Sequence, residues 1–333
     1  MSGCGRHRPA GWHSIGNHSH VNLGAAPPGT LRPPLGVRSN HATTTTTDTT
    51  MADAHHLVDD HAPVVTARGL VLRHGDVVAV DHADLDLPAG GVTAIIGPNG
   101  SGKTTLLRAL SGLHRPSTGE LLVCGAPPGR HAVAHVLQVQ STNDRLPVTV
   151  SDVVAMGRWG RRGPFRRLTA ADHAAVDEAM ERMEVTDLAD RHLDELSGGQ
   201  RQRVHVAQGL VQEAELLLLD EPGTGLDLPS LDRIATVLGE ETAAGRTVVL
   251  TTHEIHTAAA ADHVVLIATR VVAEGPPEEV LDPAHLTEAY GGHLHELPGG
   301  ALVVDDPTPH AHGHASAHTG ERGQSHGHDH PAG

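Results

Sequence analysis

The sequence predicts an α/β fold built on a largely parallel sheet. Three short apolar runs carry that prediction: Val92-Thr93-Ala94-Ile95-Ile96, Leu216-Leu217-Leu218-Leu219 between Glu215 and Asp220, and Thr247-Val248-Val249-Leu250-Thr251-Thr252. Each is too short for a helix and apolar without alternation, the pattern of a strand covered on both faces. Helical stretches lie between them, notably Thr169 to Met183 and Leu231 to Glu241. Buried strands alternating with helices define this class.

Residues 1–62 run through Gly, Pro, His and Ser, include Thr43-Thr44-Thr45-Thr46-Thr47, and lack helical or strand periodicity. Such a segment buries too little apolar surface to offset its ordering entropy and is expected to be disordered. The folded part begins near Pro63. Val64-Val65-Thr66-Ala67 and Gly69-Leu70-Val71-Leu72 read as strand segments, and Asp84-Leu85-Asp86-Leu87 alternates as a half-buried strand should. The segment from about 143 to 208 is mostly helical, has no buried-strand run, and is predicted to be a helical insertion. Past residue 305 the pattern dissolves into a tail, 306–333, carrying His310, His312, His314, His318, His326, His328 and His330.

Composition narrows the function. The 333 residues hold 24 basic and 40 acidic side chains, a formal net charge of -16, and 1% aromatics, so the core is built from Leu, Val, Ile and Ala. The acidity excludes a general nucleic-acid binder, which needs a basic face for phosphates. No apolar stretch reaches the ~18–20 residues of a membrane span. Cys4 and Cys124 cannot form a disulfide framework, and the N-terminus lacks the order of a signal peptide, so a cytoplasmic site is expected. Among the basic residues Lys103 is the only lysine.

That lysine stands in Gly97-Pro98-Asn99-Gly100-Ser101-Gly102-Lys103-Thr104, between the run ending at Ile96 and an apolar helix starting Thr105-Leu106-Leu107. The pattern GxxxxGK[ST] in a strand–loop–helix setting is a phosphate cradle. Its glycines turn backbone N–H groups inward and the helix N-terminus adds a positive dipole end. Lys103 is placed for the β- and γ-phosphates and the Thr104 hydroxyl for Mg²⁺. Arginine, wider and planar, fits such a nest poorly. The run Leu216–Leu219 delivers Asp220 toward the Mg²⁺ shell and Glu221 toward an attacking water. In isolation Asp220-Glu221 would read as a cap for the next helix; the upstream loop changes that.

Leu196-Ser197-Gly198-Gly199-Gln200, followed by Arg201-Gln202-Arg203, matches the signature of ATP-binding cassette ATPases, and the chain resembles that family over about residues 64–290. The resemblance implies a P-loop NTPase (RecA-like) α/β core with a mainly parallel sheet, an antiparallel β subdomain and the helical insertion subdomain, within a cassette at 63–305. It assigns Gln138 to the Q-loop, as a catalytic glutamine and Mg²⁺ ligand, Asp227 in Gly225-Leu226-Asp227 to the D-loop, and His253 to the switch that contacts γ-phosphate. His74, 29 residues before Lys103, stands where the family places an aromatic against adenine. Thr105 completes the ATP-binding set. The family pairs two copies head to tail, so Leu196–Gln200 of one copy meets the ATP held by the other, with Ser197 and the Gly198 and Gly199 amides suited to γ-phosphate. ATP closes the homodimer, hydrolysis aided by Glu221 and His253 reopens it, and the movement drives separate integral-membrane permease subunits. The implied setting is peripheral, on the cytoplasmic side of the cell membrane, with no nucleic-acid partner. Two departures stand out: His74 in place of an aromatic, and Gln208-Gly209 where Arg-Ala is common, the glycine costing a helix roughly 1 kcal/mol.

Leu146-Pro147-Val148-Thr149-Val150, Val153-Val154-Ala155-Met156-Gly157-Arg158 and Glu274-Gly275-Pro276-Pro277-Glu278-Glu279-Val280 look like the zinc and manganese uptake branch. That branch implies an extracytoplasmic metal-binding protein as an indirect partner. An iron–siderophore or other small-solute importer is the alternative, and a soluble non-transport cassette ATPase the more distant one; one cassette without sustained heptads speaks against the latter. In the tail, His310, His312, His314, His326, His328 and His330 are candidate zinc ligands, and a solvated low-complexity tail is the competing reading. The basic stretch Arg158-Trp159-Gly160-Arg161-Arg162-Gly163-Pro164-Phe165-Arg166-Arg167 is expected to line or border the permease-docking groove or meet anionic lipid headgroups, or else to form a plain solvated loop.

Overall fold

The computed structural model describes residues 63–129, 133–136, 148–162, 166–291, 294–296 and 302–304. The segment 1–62, Gln138 and the histidines of the tail lie outside them.

The parallel sheet is the backbone of the fold. Its six strands run β5 (Val133–Val136), β6 (Leu216–Leu219), β7 (Thr247–Thr252), β3 (Gly91–Ile96), β8 (His263–Ile267) and β9 (Val271–Gly275) in spatial order. All neighbours are parallel except β9, which pairs antiparallel with β8. Side chains alternate between two cores. Ala94, Ile96, Leu217, Leu219, Val248, Leu250, Val264 and Leu266 enter one, and Ile95, Leu216, Leu218, Val249, Val265 and Ile267 the other. Two covered faces explain why these strands read as unbroken apolar runs. Each fully buried leucine of β6 contributes roughly 1.5–3 kcal/mol.

The second core is roofed by helix α1 (Lys103–Leu110), through Leu106, Leu107 and Leu110, and by an antiparallel sheet. That sheet has the order β2-β1-β4, with β1 at Pro63–His74, β2 at Val77–Pro88 and β4 at Thr118–Val123. The two segments expected at 64–67 and 69–72 are thus one twelve-residue strand with register shifts along it.

The first core is covered by the helical stretch and by helix α5 (Leu228–Ala243). Residues 148–210 hold α2 (Val150–Arg162), α3 (Ala170–Arg182), two 3₁₀ turns and α4 (Gly198–Leu210). The start of α3 is written in its sequence: Thr169 accepts from the Asp172 amide, and the Asp172 carboxylate accepts from Thr169 N. This reciprocal cap satisfies two otherwise orphaned donors. Gly209, a departure from the family pattern, has a packing reason: a methyl there would stand 2.6 Å from Val136 Cγ2 and 3.1 Å from Leu217 Cδ1. The glycine lets α4 lie close against β5 and β6. Ion pairs then tie the helical stretch to α5, with Arg182 on Glu240 at 2.9 Å and Glu241 at 2.8 Å, and Arg233 on Glu184 at 3.6 Å. Short helices α6 (Ile255–Ala259), α7 (Pro277–Val280) and α8 (Pro283–Tyr290) and a β10–β11 pair (Leu294–Glu296, Leu302–Val304) complete the described chain.

One expectation about the basic stretch is corrected. Arg158 is not part of an open basic surface: its side chain is only 11% exposed. Its guanidinium donates to Asp172 at 2.9 Å, to the Val211 carbonyl at 2.7 Å and to Glu213 at 3.0 Å. It ties α2 to the α3 cap and to the end of α4. Trp159, Arg166 and Arg167 are exposed.

Because Asp172 is fully buried, removing its cation leaves an uncompensated charge, which costs about 3–5 kcal/mol. Urea unfolding of Arg158→Met should show a loss of that order. Arg167→Ala, at an exposed position, should stay within about 0.5 kcal/mol of the parent chain.

Candidate functional site

β3 ends at Ile96 and α1 begins at Lys103, so residues 97–102 form a tight loop at the carboxyl end of a buried strand. The loop is braced from within by Ser101 N–H on the Pro98 carbonyl at 3.1 Å, and from outside by Thr269 N–H on the Ser101 carbonyl at 3.0 Å. Gly102 has φ +103, and a Cβ there would lie 2.3 Å from the Ala79 carbonyl oxygen. Only glycine meets both demands. Lys103 is buried, its ammonium donating to the carbonyls of Gly97 at 2.8 Å and Pro98 at 3.1 Å. The lysine curls back over its own loop, whose first α1 turn carries no acidic side chain.

β6 lies two strands from β3, with β7 between them. It carries Asp220, buried, just past its last leucine. The Thr104 hydroxyl donates to Asp220 Oδ1 at 3.2 Å, and the Thr251 hydroxyl donates to the same oxygen at 2.7 Å. Thr104 and Asp220 together offer hard oxygen donors beside the phosphate loop, a donor set matched to Mg²⁺. Glu221 takes the left-handed conformation, φ +48, rare for a non-glycine residue. Its N–H donates to Thr251 Oγ1 at 2.9 Å, and its carboxylate accepts from Thr224 Oγ1 at 3.3 Å. His253, half-buried, follows directly on β7.

His74, at the end of β1, sets Nε2 3.3 Å from Thr105 Oγ1 and its ring 4.8 Å from that of His114. The position expected to face adenine therefore does border the phosphate loop, with a second imidazole against it. Burial holds the His114 pKa below the ordinary histidine value, and His74 and Arg108 lower it further.

The signature segment forms the start of α4. Ser197 caps the helix: its hydroxyl oxygen accepts from Gln200 N at 3.2 Å, and the Gln200 side-chain oxygen Oε1 accepts from Ser197 N at 3.0 Å. Leu196 is buried as the anchor; Ser197 and Gly198 are exposed. A Cβ on Gly199 would sit 2.3 Å from Asp227 Oδ1 and 2.4 Å from Ser230 Oγ, so the signature turn presses directly on the turn that opens α5. Asp227 and Leu228 are exposed beside it.

The structure thus gathers Lys103, Thr104, Asp220, Glu221 and His253 at one end of the sheet and leaves Ser197 and Gly198 exposed with Asp227 where α4 and α5 begin. Two residues escaped the sequence reading. Thr251 gave one signal, a hydroxyl at the end of an aliphatic strand; the contact of Ser230 with Gly199 gave none.

Comparison with known proteins gives a consistent picture. A family model described as ABC transporter matches residues 80–224. The zinc transport system ATP-binding protein TroB of Treponema pallidum is 40% identical over 236 residues, 70% of this chain and 89% of that protein. The manganese transport system ATP-binding protein MntB of Listeria monocytogenes is 35% identical over 227 residues, 67% of this chain and 95% of that one. Among solved structures, a chain from an inward-facing transporter assigned to the metal-chelate type of ABC transporter superposes with a TM-score of 0.62 at 28% identity, covering 73% of this chain and 97% of that chain.

His135, on β5, supplies a pH prediction. Neither ring nitrogen has a hydrogen-bond partner among the described residues. Burial lowers its pKa; Asp220 opposes the shift and Arg108 adds to it. A histidine whose folded pKa is depressed leaves stability intact above its unfolded value, about 6.5, and loses stability as pH falls through the folded value, because the unfolded chain binds the extra proton. Thermal unfolding followed from pH 7.5 to 5.5 should therefore fall less steeply for His135→Phe than for the parent. Parallel curves would refute the assignment.

Proposed function

The chain belongs to the ABC transporter family, an ATP-binding and ATP-hydrolysing cassette, and on that premise we propose that it powers the import of a divalent metal ion, zinc or manganese. The observation that carries the hydrolytic part is the gathering of Lys103, Thr104, Asp220 and Glu221 at one end of the sheet, past β3 and β6. The metal is supported by the zinc and manganese transport roles of relatives that this chain covers almost end to end.

Lys103 exchanges the carbonyls of Gly97 and Pro98 for phosphate oxygens when nucleotide enters, so its charge is held in place before binding. Thr104 and Asp220, with Gln138 as a third ligand, would hold Mg²⁺, which would supply neutralisation of phosphate charge when bound with ATP. Glu221 orients the attacking water, and His253, at the end of the neighbouring strand, meets the γ-phosphate. His74 takes the adenine side with a smaller ring than the aromatics of its family. Asn99 to Thr105 complete the nucleotide contacts.

The signature acts on the nucleotide of a second copy. Ser197 accepts from the Gln200 amide with its oxygen, which leaves its proton for a phosphate oxygen. Gly198 and Gly199 open a thirteen-residue helix, so their N–H groups are not consumed within it. The exposed edge of Ser197, Gly198, Asp227 and Leu228 suits a head-to-tail homodimer closed by ATP and reopened by hydrolysis. No described helix is long and apolar enough to cross a membrane, and the reading assigns that task to permease subunits that this chain drives from the cytoplasmic side. An extracytoplasmic metal-binding protein would deliver the ion.

Glu221→Gln should cut ATP turnover by about 10²-fold or more while keeping ATP affinity, and should make ATP shift the chain to a dimer on size-exclusion chromatography. A deletion strain should take up less labelled zinc or manganese and require more of that ion for growth. Unchanged uptake of both ions would overturn the metal assignment and leave the ATPase standing.

A further inference from the structure

We propose that Thr251 is a positioning residue for ATP hydrolysis, holding the Asp220 carboxylate and the Glu221 backbone in one bracket. The inference rests on the ATPase reading above and assigns a role to a residue outside the cassette motifs.

β6 and β7 are parallel neighbours with Leu219 opposite Leu250, which brings Thr251 beside Asp220. Thr251 is fully buried, following Val248, Val249 and Leu250 on a strand that is otherwise aliphatic there. A hydroxyl in such a place is costly unless both its functions are used. Here they are: its proton goes to Asp220 Oδ1 at 2.7 Å, and its oxygen accepts Glu221 N–H at 2.9 Å. One side chain thereby fixes two consecutive residues with different tasks. On Asp220 it holds the oxygen that also receives the Thr104 hydroxyl at 3.2 Å, so the carboxylate cannot rotate away from the phosphate loop. On Glu221 it secures an N–H at a residue whose φ of +48 is adopted only where the surroundings impose it. The same strand leads two residues on to His253. Thr251 therefore sets the water-orienting carboxylate and the switch histidine in a common frame without touching substrate.

Valine copies the shape of threonine and deletes the hydroxyl, whereas serine keeps the hydroxyl and deletes the methyl. In the full-length chain, Thr251→Val should lower kcat about 10- to 100-fold, the scale of a small misplacement of reacting groups, with KM near the parent value. Binding of a fluorescent ATP analogue should be unchanged in EDTA, and the gain in affinity on adding Mg²⁺ should shrink. Thr251→Ser should restore both. Should the valine variant not fold, Thr251→Ala carries the same expectations. Parent-like kcat and Mg²⁺ gain in the hydroxyl-free variant overturns the proposal, as does a serine variant as impaired as valine. Equal turnover by the parent chain and Glu221→Gln would instead sink the ATPase reading itself, so the two failures are distinguishable.

Discussion

The parallel strands β3, β6 and β7 are covered on both faces, and the placement of chemistry in this molecule follows from that covering. Ile96, Leu219 and Leu250 have no solvent-facing side, and the charged groups of the site stand just past the strand ends. Lys103 follows β3, Asp220 and Glu221 follow β6, and His253 follows β7. The strands are hydrogen-bonded neighbours in register, so their ends fall side by side. Residues far apart in sequence thus become one site without any loop having to reach across the protein. The sheet also supplies the dry surroundings in which the hydrogen bonds between Thr104, Asp220 and Thr251 are strong.

A second coupling lies outside the sheet. The signature turn and the opening of α5 are in direct contact through Gly199, Asp227 and Ser230. The helical stretch and α5 are joined again at the opposite end by Arg182 with Glu240 and Glu241, and part-way along by Arg233 with Glu184. Exposed ion pairs of this kind contribute little individually, but Glu241 is buried and holds two arginines, Arg182 and Arg246.

Much of this was legible before any coordinates. The runs at 92–96, 216–219 and 247–252 became strands because burial on both faces leaves an unmistakable pattern, and the helical stretch expected from Thr169 to Met183 is α3. β5 and β8 were not read. Val133–Val136 is four residues long and interrupted by His135, and His263–Ile267 lacks flanking motifs. The phosphate loop, the acidic pair and the signature were readable because their chemistry lies in contiguous residues. Thr251 and Ser230 were not, since their importance comes from contacts made across 31 residues in one case and between two helix starts in the other. Arg158 was misread as a surface charge because nothing local reveals that Asp172 and Glu213 fold around it.

The double attachment of α5 has a mechanical consequence. Contacts near both ends of α5 make it one unit with the helical stretch, Asp227 included. That unit meets the sheet at joints in the connecting chain. One such joint is Gly245, exposed and left-handed at φ +88 between α5 and β7. β7, which the chain enters there, carries Thr251 and leads into His253, so one short covalent path joins α5 to the end of the sheet where Lys103, Asp220 and Glu221 gather.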